Sequence, residues 1–366
     1  MRRNKFFSII FLLLMVMTVV TGCGQTSAGD KSSDTNSAEV SADVNEITII
    51  DSLGETITVP YPLERVVILN SNAAEAVAIL GAQDAVVGIA DNTMDKTYLG
   101  LNDRPVVGKY SKPSYEKILE LKPQAVLAYV KSYSDEDFSA KLEPLGIKVI
   151  KLDLFKPEAY DEEFRSLAKA LGKEERAEAF LAWKKQQTDL LAKRLEGLEE
   201  EERVRVFAMY TSHFAEGNYK TFAQGTSTHQ GIEMAGGINI AGEMEGYPQV
   251  NGEWVLEENP EIFVLNTSGD AEMGYDAQDI TWSENVIANA LADKVMGKTE
   301  ACQKGRVYLI YNRLLGGDKT YLGAFYLGKW FYPERFAGIQ PDTILQEYFE
   351  EWLGAPLQGI WSYEAP

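Results

Sequence analysis

Most of the side chains in this sequence that could recognise a small molecule follow short apolar runs. In the first half these are Asn70 and Asn72, Lys109 and Tyr110, then Tyr129 and Lys131. In the second half they are Tyr210, Tyr219, Gln249, Tyr311 and Arg313. If the apolar runs are parallel strands, the positions after them are where an open α/β sheet presents a ligand. Aromatic walls with a few polar groups are what a binding cleft requires. Arg313 stands between the run Val307–Ile310 and Leu314-Leu315-Gly316-Gly317. Its planar guanidinium would offer paired donors to a carboxylate or phosphate. The bland alternative for Arg313 is a surface ion pair with Asp318.

Other chemistries find less support. Free zinc or manganese would call for several histidines or carboxylates, yet only His213 and His229 occur, with no His-rich loop. His213 could ligate a chelated metal. His229, in Thr226-Ser227-Thr228-His229, reads more simply as part of a capped helix start. Gly225-Thr226-Ser227-Thr228-His229 lacks the closing glycine of a nucleophile elbow. No phosphate loop and no His-Glu-x-x-His helix is present. Carboxylates abound, so composition alone leaves a paired-acid hydrolase open, but no pair stands out. The sequence gives no cofactor site and no catalytic residue.

The amino terminus carries an address. Arg2, Arg3 and Lys5 precede an apolar run, 6–20, too short to span a bilayer untilted, and Val20-Thr21-Gly22-Cys23 closes it. Basic flank, short apolar centre and small residues before a cleavage point make a secretory leader. The tetrapeptide resembles a bacterial lipobox, which implies cleavage before Cys23, lipidation of that cysteine, and an extracytoplasmic chain anchored to the cell membrane. Residues 24–45 are rich in Ser, Thr, Gly and Asp and read as a flexible leash. With Cys23 lipidated, Cys302 has no partner for a disulfide and reads as a small buried hydrophobe.

Without the leader, 344 residues remain, enough for two cored lobes. The net charge of −20 on the whole chain becomes −23 without the three leader cations, which argues against nucleic acid or anionic headgroups as partners. The elements alternate. Stretches 47–50 and 56–59 read as a hairpin, and 66–69, 86–89, 125–129 and 149–152 as short buried strands. Helices fall over 73–80, 113–121 and 138–145. The scheme recurs with strands 204–210, 262–266 and 307–310, and helices 227–235, 254–258, 319–332 and 343–352. Alternating short strands and helices imply parallel sheets flanked by helices. Between the halves, 157–195 reads as helix broken at Gly172, long enough to run along both lobes.

Several segments in order resemble the periplasmic-binding-protein family that serves ABC importers of iron-siderophores, haem and cobalamin. They are Arg65-Val66-Val67-Ile68-Leu69 leading to Glu75-Ala76-Val77-Ala78-Ile79-Leu80-Gly81, then Tyr115-Glu116-Lys117-Ile118-Leu119-Glu120-Leu121-Lys122-Pro123. Ala235-Gly236-Gly237-Ile238-Asn239 follows, then Glu253-Trp254-Val255-Leu256-Glu257-Glu258-Asn259-Pro260, and Gly328-Lys329-Trp330-Phe331-Tyr332-Pro333. The resemblance covers 47–352. It departs at Gln124 and Glu261, where the family usually has aspartate after proline.

The resemblance implies an α/β fold of two lobes, each a mainly parallel sheet, joined by a single long rigid helix. The corresponding division is 1–22 leader, 23–45 lipidated cysteine and linker, 46–155 first lobe, 156–200 connecting helices, 201–354 second lobe and 355–366 tail. It implies a monomeric, non-enzymatic protein that captures a metal chelate, a ferric siderophore first, and delivers it to permease subunits. Haem and cobalamin stand as alternatives within the family; a surface hydrolase or a passive scaffold stands outside it. It also implies that Glu75 and Glu253 are exposed acids, one per lobe, that dock on permease arginines.

Overall fold

The computed structural model describes residues 45–131, 135–212, 218–267 and 272–365. The leader, Cys23, most of the leash and His213 lie outside them. Strands β1 (Glu46–Ile50) and β2 (Thr56–Pro60) form the expected hairpin, with Ile47 opposite Val59. The first lobe continues with β3 (Val66–Ile68), α1 (Ser71–Ile79), β4 (Val86–Ile89), the small hairpin β5 (Gly108–Lys109) and β6 (Lys112–Pro113), α2 (Tyr115–Glu120), β7 (Ala125–Ala128), α3 (Asp135–Leu142) and β8 (Lys148–Lys151). Its four-stranded sheet has the order β4-β3-β7-β8, all parallel.

Helices cover both faces of that sheet, so its strands are apolar throughout. Val66 and Ile68 of β3 point into the main core. Val67 and Leu69 point into a smaller one with Ile118, Val126 and Leu142. The side chain of Asn70 starts α1 by accepting from the backbone N–H of Asn72 and Ala73.

Two helices follow. Pro157 opens α4 (Pro157–Leu171), and Gly172, at φ 62, supplies the left-handed residue that ends it. Helix α5 (Glu174–Arg194) begins with Glu174 and Glu175 and ends with Lys193 and Arg194, each pair suited to the dipole end it occupies. Its 21 residues span about 31 Å. The expected break therefore separates a helix packed on the β1–β2 side from the long helix joining the lobes.

The second lobe contains β9 (Arg205–Tyr210), β10 (Asn218–Lys220), α6 (Ser227–Met234), β11 (Ile238–Asn239), β12 (Gln249–Asn251), α7 (Gly252–Glu258), β13 (Ile262–Asn266), α8 (Thr281–Ala292), α9 (Glu300–Gln303), β14 (Val307–Ile310), α10 (Thr320–Phe331), α11 (Pro341–Glu347) and β15 (Ser362–Glu364). The sheet order is β11-β9-β13-β14-β15, parallel except for β15. A wide turn, Tyr348–Leu353, extends α11. It brings Tyr348 and Trp352 against Phe180 and Trp183 of α5, with ring centroids 5.2–6.3 Å apart. One apolar core runs from Ile68 through Phe164 and Phe180 to Val206 and Phe263, so the lobes share an interior.

Candidate functional site

The carboxyl ends of the first sheet deliver one side chain after another to a single cavity. Asn72 follows β3, Asn92 follows β4, Tyr129 and Lys131 follow β7, and Asp153 and Phe155 follow β8. With Tyr110 and Ser111 from the β5–β6 hairpin, these residues line a hollow of about 630 Å³. Tyr110 meets the Tyr129 ring edge-on at 5.8 Å. The Tyr129 hydroxyl oxygen lies 3.1 Å from Ser71 Oγ and accepts from the Ser71 backbone N–H. Burial pushes that phenol up, and the Ser71 contacts offset part of the rise. Asp153 is held by the Val130 N–H at 2.8 Å.

A second compartment of about 360 Å³ continues the first, sharing Asn72, Asn92 and Phe155. Its far wall comes from the other lobe, where Asn312, Arg313, Gly316, Asp318 and Lys319 follow β14. Lys96 completes it from the first lobe. The cleft thus has a wide aromatic part on one lobe and a narrow cationic part between both.

Behind the narrow part lies a buried charge cluster. Glu75 is 1% exposed; its Oε1 takes Lys319 Nζ at 2.8 Å and the Tyr348 hydroxyl at 2.8 Å, and its Oε2 takes Lys96 Nζ at 3.0 Å. Lys319 Nζ also donates to Asp318 at 2.8 Å. Burial alone would raise Glu75, but Lys319 and Lys96 more than reverse it and hold the carboxyl well below the usual range. Burial depresses Lys96; Glu75 opposes this, while Lys319 and Arg313 add to it. For Lys319 burial also pulls downward, yet Asp318 and Glu75 outweigh it and the ammonium is strengthened. Burial raises Asp318 despite Lys319.

The structure brings Asn72, Tyr110, Tyr129, Lys131 and Arg313 together, as the strand-end argument expects. It corrects others. Asn70 is wholly buried, and besides capping α1 it donates to the Leu152 and Asp153 carbonyls at 2.5 and 3.2 Å, so it positions the loop and has no group left for a ligand. Tyr219 is buried, with its hydroxyl donating to Asp293 at 3.2 Å. Tyr311 is buried against Trp361. Lys109 and Gln249 are exposed but line neither compartment. Tyr210 lines neither compartment; at the carboxyl end of β9 it packs on Phe222 at 4.3 Å and Tyr247 at 6.2 Å, with Lys220 over its ring. Burial, then Tyr247, pushes its phenol to about 12.

Glu75 is the largest correction. The expected exposed acid is enclosed by Lys96, Lys319 and Tyr348, whereas Glu253 is exposed in the first turn of α7. His229 is buried, its N–H capped by Thr226 and its ring nitrogen 3.1 Å from Asn239. Cys302 is buried, as its composition-based reading holds. Asn92, Lys96, Asp153, Phe155 and Lys319 also line the cleft and were not among the expected residues. Asp153 and Phe155 directly follow a recognised strand and could have been found by the same rule; Lys96 and Lys319 carry no such signal.

Another hollow, of about 580 Å³, lies between α4, α5 and the start of α10, lined in part by Tyr160, Leu181, Met234 and Tyr321. It meets the cleft only at Asp318, and its own ion pairs, Lys184 with Asp161 and Arg165 with Glu178, are made on the helix surface. The inter-lobe cleft is the stronger candidate.

The comparisons agree with this fold. Residues 66–314 match the family model described as periplasmic binding protein, and the chain belongs to that family. It is 23% identical over 337 residues to the molybdate-binding protein MolA of Haemophilus influenzae, covering 83% of this chain and 90% of that one. It is 28% identical over 176 residues to the petrobactin-binding protein YclQ of Bacillus subtilis, a match spanning 46% of this chain and 50% of the relative. The TroA-like periplasmic binding protein FepB of Veillonella parvula superposes with a TM-score of 0.74 at 24% identity, over 87% of this chain and 100% of that one. Membership identifies an extracytoplasmic solute-binding protein of ABC importers rather than an enzyme.

Proposed function

We propose that this chain captures an anionic metal chelate, a ferric siderophore with free carboxylate or catecholate oxygens first among them, and delivers it to an ABC permease. The observation that carries this reading is the continuous cleft in which Arg313, beside the Glu75-paired Lys96 and Lys319, lines a compartment opening onto Tyr110, Tyr129 and Phe155. A guanidinium suits anionic oxygens, and the aromatic part provides apolar wall for a larger body. A bare oxyanion would fill the narrow part and leave the wide part empty. A relative that binds petrobactin supports a chelate, while the molybdate-binding relative marks the alternative.

Tryptophan-fluorescence titration of the processed chain tests the reading, with ferric citrate, ferric petrobactin, haem, cobalamin and molybdate as probes. Saturable binding of a ferric chelate supports it; response to molybdate or cobalamin alone overturns it. We further propose that lipid on Cys23 tethers the chain, so Cys23→Ser should release it from membranes; retention through carbonate washing would refute the tether. On the second lobe, exposed Glu253 supports permease docking through a rim charge. Glu253→Arg should then stop uptake with ligand affinity intact, and normal uptake would remove the role.

A further inference from the structure

Glu75, in the middle of α1, is enclosed by groups from both lobes. Glu75 belongs to the first lobe, as does Lys96, whose ammonium also donates to the Ser71 carbonyl at 3.1 Å. Lys319 and Tyr348 belong to the second lobe, 244 and 273 residues away in sequence, and both reach Glu75 Oε1 at 2.8 Å. A single carboxylate is therefore gripped from both sides. The Tyr98 hydroxyl lies 3.5 Å from the other oxygen, and the Tyr98 ring packs on Phe349 at 5.1 Å, next to Tyr348. Arg176 of α5 adds a parallel strap by donating to Ile79 at the end of α1 and to Glu351 and Trp352 in the wide turn.

The cluster is balanced: Glu75 and Asp318 against Lys96 and Lys319, all almost fully withdrawn from water. Lys96 and Lys319 also line the cleft. We propose that Glu75 is an inter-lobe tie: it holds the Lys96 and Lys319 ammoniums together across the cleft floor, fixing both their positions and the spacing of the lobes. The part of this role that concerns ligand rests on the proposed cleft; the tie itself does not. Separating the lobes would break the Glu75–Lys319 pair and the Tyr348 hydrogen bond to Glu75 at the same time. A surface docking acid would have none of these contacts.

Amide hydrogen exchange on the full chain, without ligand, tests the tie. Glu75→Gln and Lys319→Met should each speed exchange by ~10-fold in both α1 and 341–353, because each leaves an unmatched buried charge. The double variant removes one charge of each sign and should be less perturbed than the two effects multiplied. If Glu75→Gln does not fold, Tyr348→Phe removes only the cross-lobe hydroxyl and should still speed exchange in both segments. Unchanged exchange in Tyr348→Phe, or effects of Glu75→Gln confined to α1, would overturn the proposal. So would unchanged exchange in Glu75→Gln together with lost uptake, the signature of a docking acid. The exchange readouts do not depend on which chelate binds, so failure of the ligand assignment would be seen separately.

Discussion

Gly317→Ala should push apart the lobes where Gly317 meets Phe155. A Cβ on Gly317 would lie 2.2 Å from the Phe155 carbonyl oxygen and 2.6 Å from its ring. A carbon–oxygen contact needs roughly 3.3 Å, so one side must give by about 1 Å. The Phe155 side is held, because the preceding Leu154 N–H donates to Glu163 at 2.6 Å. Overpacking of this kind costs about 1–3 kcal/mol. The φ of +30 at Gly317 adds strain for an L-residue, of about 1 kcal/mol. A combined ~2–4 kcal/mol should lower Tm by roughly 3–6 °C in a body of this size. Gly316→Ala is the control, since its Cβ would meet nothing nearer than 3.6 Å. Calorimetry of both variants decides: a Gly317→Ala melt within 1 °C of wild type, or equal to Gly316→Ala, would refute the closeness of Phe155 and Gly317 in solution.

Two other outcomes follow from buried polar groups. Asn70→Ala loses the α1 cap and two donations to the Leu152 and Asp153 carbonyls, so denaturant unfolding should show a loss of about 2–3 kcal/mol; a loss under 0.5 kcal/mol would contradict its placement. Because Glu75 is held below its ordinary value, its ionised form adds stability that is fully present above about pH 4.3 and is lost as pH falls toward the depressed value. Asp318, raised by burial, has the opposite sign. The difference in unfolding free energy between wild type and Glu75→Gln should therefore be constant from pH 7 to 5 and shrink below pH 4; a difference growing on acidification would contradict it.

Strands were legible because both faces of each sheet are covered, so 86–89, 262–266 and 307–310 appear in sequence as short unbroken apolar runs and match the structure. The break at Gly172 was legible because only glycine takes its left-handed cap cheaply. Position after a strand picked out Asn72, Tyr129 and Arg313, which the structure places along one cleft. The same rule misled at Asn70, since an asparagine there can equally cap the next helix. The surroundings of Glu75 were hidden: its decisive partners lie far away in sequence, and Lys319 looks like any polar residue at a helix start. Helix α8 and strand β15 also escaped, the first because its apolar positions form no clear face, the second because only pairing with β14 makes it a strand.

The claim that ligand lies between the lobes is tested most directly by titrating ferric citrate or ferric petrobactin into Tyr129→Ala, Arg313→Ala and the double variant. Tyr129 lines the wide part from the first lobe and Arg313 the narrow part from the second. Each single change should weaken binding by about tenfold, equivalent to ~1.4 kcal/mol, when measured well below that variant's own melting transition. Full affinity in either single variant would place the ligand on one lobe, and full affinity in both would remove it from the cleft.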